Sequence, residues 1–408
     1  MIRSITSVKV TGRRVIVRAG FDVPLNKNSQ GEFEVADDTR IKDALATLKY
    51  LIEQKAKIVL ISHLGRPKGW DKEKSLWPIA LKLGELLRFK VVKVEDKLPD
   101  YKVAHINFLS EDITKKDYSE LSKQLPEGSI LFLENLRFYP GEAKNEEKFI
   151  DLLGSFGDVY VNEAFSVAHR QEASTFGLAR KLPAYAGISF AKEIASLKKV
   201  INNPAKPMVV LMGGIKIENK VETLHSLAKH AEHIIVGGGI ANTFLKARGY
   251  EVGKSKVSDL FVAKELLRHY KNKIVLPIDV VVAEDPESKS RMCAIEKVLP
   301  GESIYDIGPE SVRKFAGIIS QGQTLVWNGP FGFFENPKYS FGSKAIAQAF
   351  ATRSKGKAFG LVGGGETAQV VDMAKVSQFI DHVSTGGGAM LEFLAGKQLL
   401  AIKALESN

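Results

Sequence analysis

The sequence predicts an α/β protein built from two doubly wound, Rossmann-like parallel-sheet domains joined by a helix, with a site in the cleft between them. Three observations carry that expectation. Short β-rich runs alternate with amphipathic helical stretches along most of the 408 residues. The strand candidates are almost continuously apolar, as strands covered on both faces are. The two halves also end their strands differently, the first on arginine and histidine and the second on glycine. At about 100–200 residues per domain, this length suits two or three domains.

In chain order, strands are expected at 14–19, 57–62, 129–134, 159–162, 208–212, 233–236, 273–277, 324–327, 358–362 and 379–384. Helices are expected between them at 39–54, 76–87, 146–156, 220–231 and 259–270. The first helix shows Ile41, Ala44, Leu45, Leu48, Leu51 and Ile52 on one stripe, with Asp38 or Thr39 placed to cap it. A boundary is read around 180–205, where Leu182-Pro183 opens a segment with a helix over 191–200 and Asn202-Asn203-Pro204 closes it. The domains expected are 1–182, with a C-terminal segment 389–408 packing back on it, and 183–388, which includes the connecting helix.

Ligands of open α/β sheets bind beyond the carboxyl ends of the strands, so function is read there. In the second half those ends are Gly213-Gly214, Gly237–Gly239, Gly363–Gly365 and Gly386–Gly388. Glycine lets the backbone approach a ligand, and the helix N-terminus that follows offers free N–H groups to phosphate. Four such ends favour a polyphosphate or nucleotide cradle over plain packing. Lys216 and Lys220 lie i,i+4 beside the first and share a face if that segment is helical. In the first half the ends carry Arg18, His63, Arg66, Arg137, His169 and Arg170, and Arg40 heads a long helix. One arginine after a strand reads as a surface ion pair; several on one sheet edge read as a pocket for a small, multiply anionic substrate. A basic pocket and a nucleotide cradle together suit a phosphoryl transferase, whose chemistry needs positioning and charge more than covalent help.

Composition narrows the alternatives. Hydrophobic residues make up 44% and charged residues 26%, an ordinary globular profile. One cysteine, Cys293, excludes an internal disulfide framework and a multi-cysteine zinc site. The opening MIRSITSVKVTGRR has no apolar run of the signal-peptide kind, and no stretch reaches the roughly 20 residues needed to span a bilayer. A cytoplasmic protein with no membrane partner is the expectation. The net charge of +11 raises nucleic acid as a partner, but the lysines are dispersed along helices, so none is expected. Gly363–Ala368 fits a dinucleotide-binding G-x-G-x-x-A with Asp381 downstream, which keeps a dehydrogenase in view. GYEVGKS at 249–255 falls one residue short of a Walker A loop.

The motifs resemble those of phosphoglycerate kinases. RAGFDVP at 18–24, SHLGRP at 62–67, LENLRF at 133–138, AFSVAHR at 164–170, GGIKIENK at 213–220, WNGPFGFFE at 327–335, GGGETA at 363–368 and STGGGAMLE at 384–392 run in family order. The resemblance implies reversible transfer of a phosphoryl group between 1,3-bisphosphoglycerate with ADP and 3-phosphoglycerate with ATP, in glycolysis and gluconeogenesis, by a monomer or homodimer whose domains close. It implies that Arg40, His63, Arg66, Arg137 and Arg170 bind phosphoglycerate, and that Arg40 and Lys216 act on the transferring group. It assigns Gly213, Gly214, Lys216, Lys220, Gly237, Gly238, Asn328, Pro330, Glu335, Gly363, Gly364, Gly365, Glu366 and Thr367 to the nucleotide. Mg2+ accompanies ATP or ADP through Glu366, directly or through water.

Three positions depart from the family pattern: Gly20 stands for an aspartate, Asp22 for an asparagine and Glu366 for an aspartate. With residues 20 and 22 on one face of a strand, Asp22 is placed to reach the substrate hydroxyl from a shifted position.

Overall fold

A computed structural model describes residues 2–100 and 103–406. Its mixed α/β architecture divides into two units, one running to Ile194 and taking in the chain again from Gln398, the other being Ala195–Lys397. The division therefore falls inside the connecting helix Ile188–Ile201, not ahead of it at 182/183, and residues 389–397 group with the second unit.

The first unit holds a seven-stranded sheet in the order Val91–Val94, Ile106–Leu109, Ile130–Leu133, Lys57–Ile61, Arg14–Ala19, Val159–Glu163, Ala184–Ala186. Its pairs are parallel, with Arg18 registered between Ile61 and Asn162. That register brings the ends of three strands, at Ala19, Ile61 and Glu163, to one edge. The core gathers Val15, Val17, Ile58, Leu60, Phe132 and Val161, with Phe21, Phe108 and Phe132 in edge-to-face contact at 5.8–6.0 Å. Helix Thr39–Glu53 starts as its apolar stripe demands, but the side chain that caps it is Asp37, whose Oδ1 accepts from the Thr39 N–H at 2.9 Å.

The second unit holds a six-stranded parallel sheet in the order Ile274–Val275, His233–Val236, Met208–Met212, Thr324–Asn328, Phe359–Gly363, His382–Ser384. Met212 is registered with Val236 and Asn328, and Asn328 with Gly363, so the glycine ends lie side by side. Trp327 is wholly buried beneath that edge and donates its Nε1–H to the Gly329 carbonyl at 2.8 Å. A three-stranded antiparallel sheet, Arg291–Ala294, Asp279–Ala283 and Ser303–Ile307, completes the unit. Among the described residues no helix is long and apolar enough to cross a membrane.

Candidate functional site

In the first unit the cationic strand ends do converge. Arg18 is fully buried: its Nε donates to Ser174 Oγ at 2.8 Å, Nη1 to the Ala19 carbonyl at 2.6 Å, and Nη2 to His63 Nδ1 at 2.9 Å. Burial, followed by the fields of Arg18, Arg137, Arg170 and Arg40, holds His63 well below the ordinary histidine range, so the ring is neutral. Its Nε2 lies 3.7 Å from Asp22 Oδ2. The strand ends at Ala19, so residues 20 and 22 do not share a strand face. The Asp22 carboxylate instead accepts the Gly65 N–H at 2.9 Å, and Arg40 donates to its backbone carbonyl at 2.6 Å. Arg66 is exposed.

Behind these residues lies a layer that sequence reasoning missed. Arg137 donates from Nη1 to the Gly65 carbonyl at 3.0 Å and from Nη2 to Glu172 Oε1 at 2.8 Å, and Arg170 reaches the same oxygen at 3.4 Å. Glu172 sits at the start of a π-turn, Ala173–Gly177, whose Ser174 donates through N and Oγ to the buried Glu142 at 3.0 and 2.5 Å. Burial pushes Glu142 up to about 7 against the pull of Arg18. The only sequence signal for this layer was two glutamates close to the LENLRF and AHR motifs.

In the second unit a cavity of about 440 Å³ is bordered by Gly214, Gly238, Pro330, Glu335 and Glu366 among the predicted residues. Ile304, Tyr305, Asp306 and Phe333, to which no site role was assigned from the sequence, line it too, as do Lys254 from the near-Walker stretch and Lys256 just after it. Burial drives Asp306 up to about 7 even though the Gly342 and Ile307 N–H groups donate to it at 2.7 and 2.9 Å.

Several of the remaining predicted residues hold neighbouring loops together. Gly213 donates to the Asn328 carbonyl and Gly214 to that of Pro330, both at 2.9 Å, and a methyl on Gly213 would stand 2.1 Å from the Pro330 oxygen. Gly213 is thus required by a neighbouring loop. Gly237 and Gly363 likewise face Phe331 and Met390, while Asn328 Nδ2 donates to the Gly363 carbonyl and Thr367 Oγ1 accepts from Gly329. Gly365 differs: its Cβ position is open, at the first turn of helix Gly365–Met373, and Gly364 before it has φ +95°.

Residues 213–217 are not helical, so Lys216 and Lys220 share no helix face. Lys216 is exposed on the loop. The Lys220 ammonium donates to the Gly213 and Asn328 carbonyls at 2.6 and 3.2 Å, and burial brings it down to about 8 with Glu366 pulling the other way. Asp381 accepts the Gly360 N–H at 2.8 Å at the start of its strand, which removes the acidic partner a dinucleotide fingerprint needs. Among the described residues no group of three His, Cys, Asp or Glu is arranged to hold a metal ion.

The family model described as "Phosphoglycerate kinase" matches residues 5–397. The chain belongs to the phosphoglycerate kinase family. Among its relatives, the phosphoglycerate kinase of Pelotomaculum thermopropionicum is 39% identical over 411 residues, which cover 99% of this chain and 98% of that protein. That of Desulfosudis oleivorans is 40% identical over 417 residues, covering 100% and 99%. The structure of phosphoglycerate kinase from Coxiella burnetii superposes with a TM-score of 0.83 at 35% identity, covering 100% of this chain and 99% of that one. Membership makes the chain a phosphoglycerate kinase in activity, a phosphotransferase that uses a nucleotide and acts on a carboxyl group.

Proposed function

We propose that the first-unit cluster holds 3-phosphoglycerate and the second-unit cavity holds the nucleotide, for reversible in-line transfer of the γ-phosphoryl group to the substrate carboxylate. The observation that carries this reading is a neutral histidine ringed by four arginines at one sheet edge. Arginine forks suit the carboxylate and phosphate of the substrate. Arg40, His63, Arg66, Arg137 and Arg170 bind it, and Asp22 meets its hydroxyl. Arg40 and Lys216 stabilise charge on the group in transit.

The residues present fit a nucleotide. The cavity offers glycine backbone, apolar walls and Glu335 at its rim, and the open Gly365 turn offers N–H groups to phosphate. Lys220, with two of three N–H groups on carbonyls, has one left for a phosphate oxygen. Magnesium is carried as part of the nucleotide substrate, with Glu366 as its carboxylate, directly or through water. The cytoplasm, in glycolysis and gluconeogenesis, is the proposed setting.

Transfer needs donor and acceptor oxygens within a few ångströms, so closure of the two units belongs to the proposal. A radius of gyration that falls when both substrates bind is the expected result in small-angle scattering; an unchanged value in an active sample overturns closure. The assignment as a whole is tested by a coupled assay with 3-phosphoglycerate and Mg-ATP, and a folded sample without turnover defeats it.

A further inference from the structure

Glu172 is a buried carboxylate set among the cations of the basic cluster. One of its oxygens accepts from both Arg137 and Arg170, at 2.8 and 3.4 Å. The other has no hydrogen-bond donor and lies 4.0 Å from Arg18 Nη2. Arg137 is held from its other side by the Gly65 carbonyl, so its fork is already occupied twice.

We infer that Glu172 is a specificity-determining residue, a resident anion that partly neutralises Arg137 and Arg170 so that simple anions are held weakly and ligands with two separated anionic groups are preferred. This rests on the proposed reading of the cluster as the phosphoglycerate site. A lone phosphate or sulfate has to compete with Glu172 for the same N–H groups and meets its charge in a partly desolvated setting. A ligand bearing a carboxylate and a phosphate engages Arg40 and His63 as well, and so offsets that repulsion with contacts that Glu172 does not oppose. A purely scaffolding Glu172 predicts the opposite sign, since removing it would disorder both arginines and weaken every anion.

Glu172→Gln keeps the shape and removes the charge. In the full-length enzyme, its competitive inhibition constant for inorganic phosphate should fall at least about tenfold, because unit charges a few ångströms apart couple strongly near a protein surface. The KM for 3-phosphoglycerate should also fall, but by a smaller factor, because Arg40 and His63, which do not bond Glu172, carry part of its binding. Glu172→Asp, which keeps the charge, should restore native phosphate inhibition. Phosphate inhibition that is unchanged or weaker in Glu172→Gln overturns the inference, and so does Glu172→Asp behaving like the glutamine variant.

If Glu172→Gln does not fold, the native enzyme decides. Sulfate should then bind at least about a hundredfold more weakly than 3-phosphoglycerate, a gap near 2.7 kcal/mol. Affinities within about tenfold of each other overturn the inference. A native protein that binds no 3-phosphoglycerate defeats the underlying reading and takes this inference with it, an outcome distinct from a native binder whose variant is unchanged.

Discussion

Arg18 Nη2 donates to His63 Nδ1 across 2.9 Å, and since a guanidinium has no acceptor, that bond fixes the neutral ring with its proton on Nε2. The proton faces Asp22, towards the proposed substrate, while Ser174 and Glu142 hold Arg18 from behind. A chain of four side chains thus sets the hydrogen-bonding sense of one imidazole.

Arg18→Lys should break that chain. The lysine cannot reach Ser174, Ala19 and His63 together, and a buried charged network losing a partner costs about 3–5 kcal/mol. Urea denaturation should show a loss of that order, and KM for 3-phosphoglycerate should rise. A variant as stable as the native protein would mean that the network contributes nothing.

Lys216→Ala should lower kcat by about a hundredfold or more with little change in 3-phosphoglycerate affinity, because an interaction made in the transition state is lost from turnover rather than binding. Steady-state kinetics paired with calorimetric binding separate the two. Equal losses in both would make Lys216 a ground-state binding residue.

Nucleotide affinity should weaken as pH rises through about 8, the value to which burial brings Lys220. Below it the ammonium is charged and available to phosphate; above it the amine is neutral. Lys220→Arg stays charged throughout and should abolish the inflection in a plot of log KM for ATP against pH. An inflection that survives the substitution belongs to another group.

Glu163 makes a stability prediction. Burial pushes its carboxyl from 4.5 up to about 7, although Thr47 Oγ1 and the Ser189 and Phe190 N–H groups donate to it at 2.9–3.2 Å. The folded state therefore holds a proton that the unfolded chain has released between about pH 4.5 and 7. Stability contributed by that proton is present below about 4.5 and is lost as pH climbs through 7. Glu163→Gln should flatten this part of the profile of unfolding free energy against pH, measured with urea between pH 4.5 and 8. An unaltered slope would assign it elsewhere, with Glu142 and Asp306 raised in the same way.

Most of the sheet framework was legible because buried parallel strands are apolar on both faces, as in Ile130–Leu133 and Met208–Met212. Strands at Val91–Val94 and Ala184–Ala186 were not, being half-exposed in one case and three residues long in the other. Ile106–Leu109 escaped because Asn107 interrupts its apolar run, and that side chain is satisfied by His105 and the Ile130 carbonyl. At the site, the motifs marked positions but not the contacts that each residue makes. Gly213 looked like a point of ligand approach, yet its need for glycine comes from Pro330, more than a hundred residues away. Glu172 lies beside Arg170 in the sequence, but its bond to Arg137, 35 residues away, is made only by the fold.

The loops after Met212, Val236 and Asn328 are tied to one another through the Gly213–Asn328, Gly214–Pro330 and Gly238–Phe331 backbone bonds. They form a single casting, in which a side chain added to one loop displaces the spine of another. Such a floor cannot be resculpted one substitution at a time. An engineer seeking a different preference in the proposed nucleotide cavity has more freedom on its walls, at the exposed side chains of Phe333 and Lys256. A substitution in the floor has to be matched by one in a second loop, whereas the rim accepts changes singly.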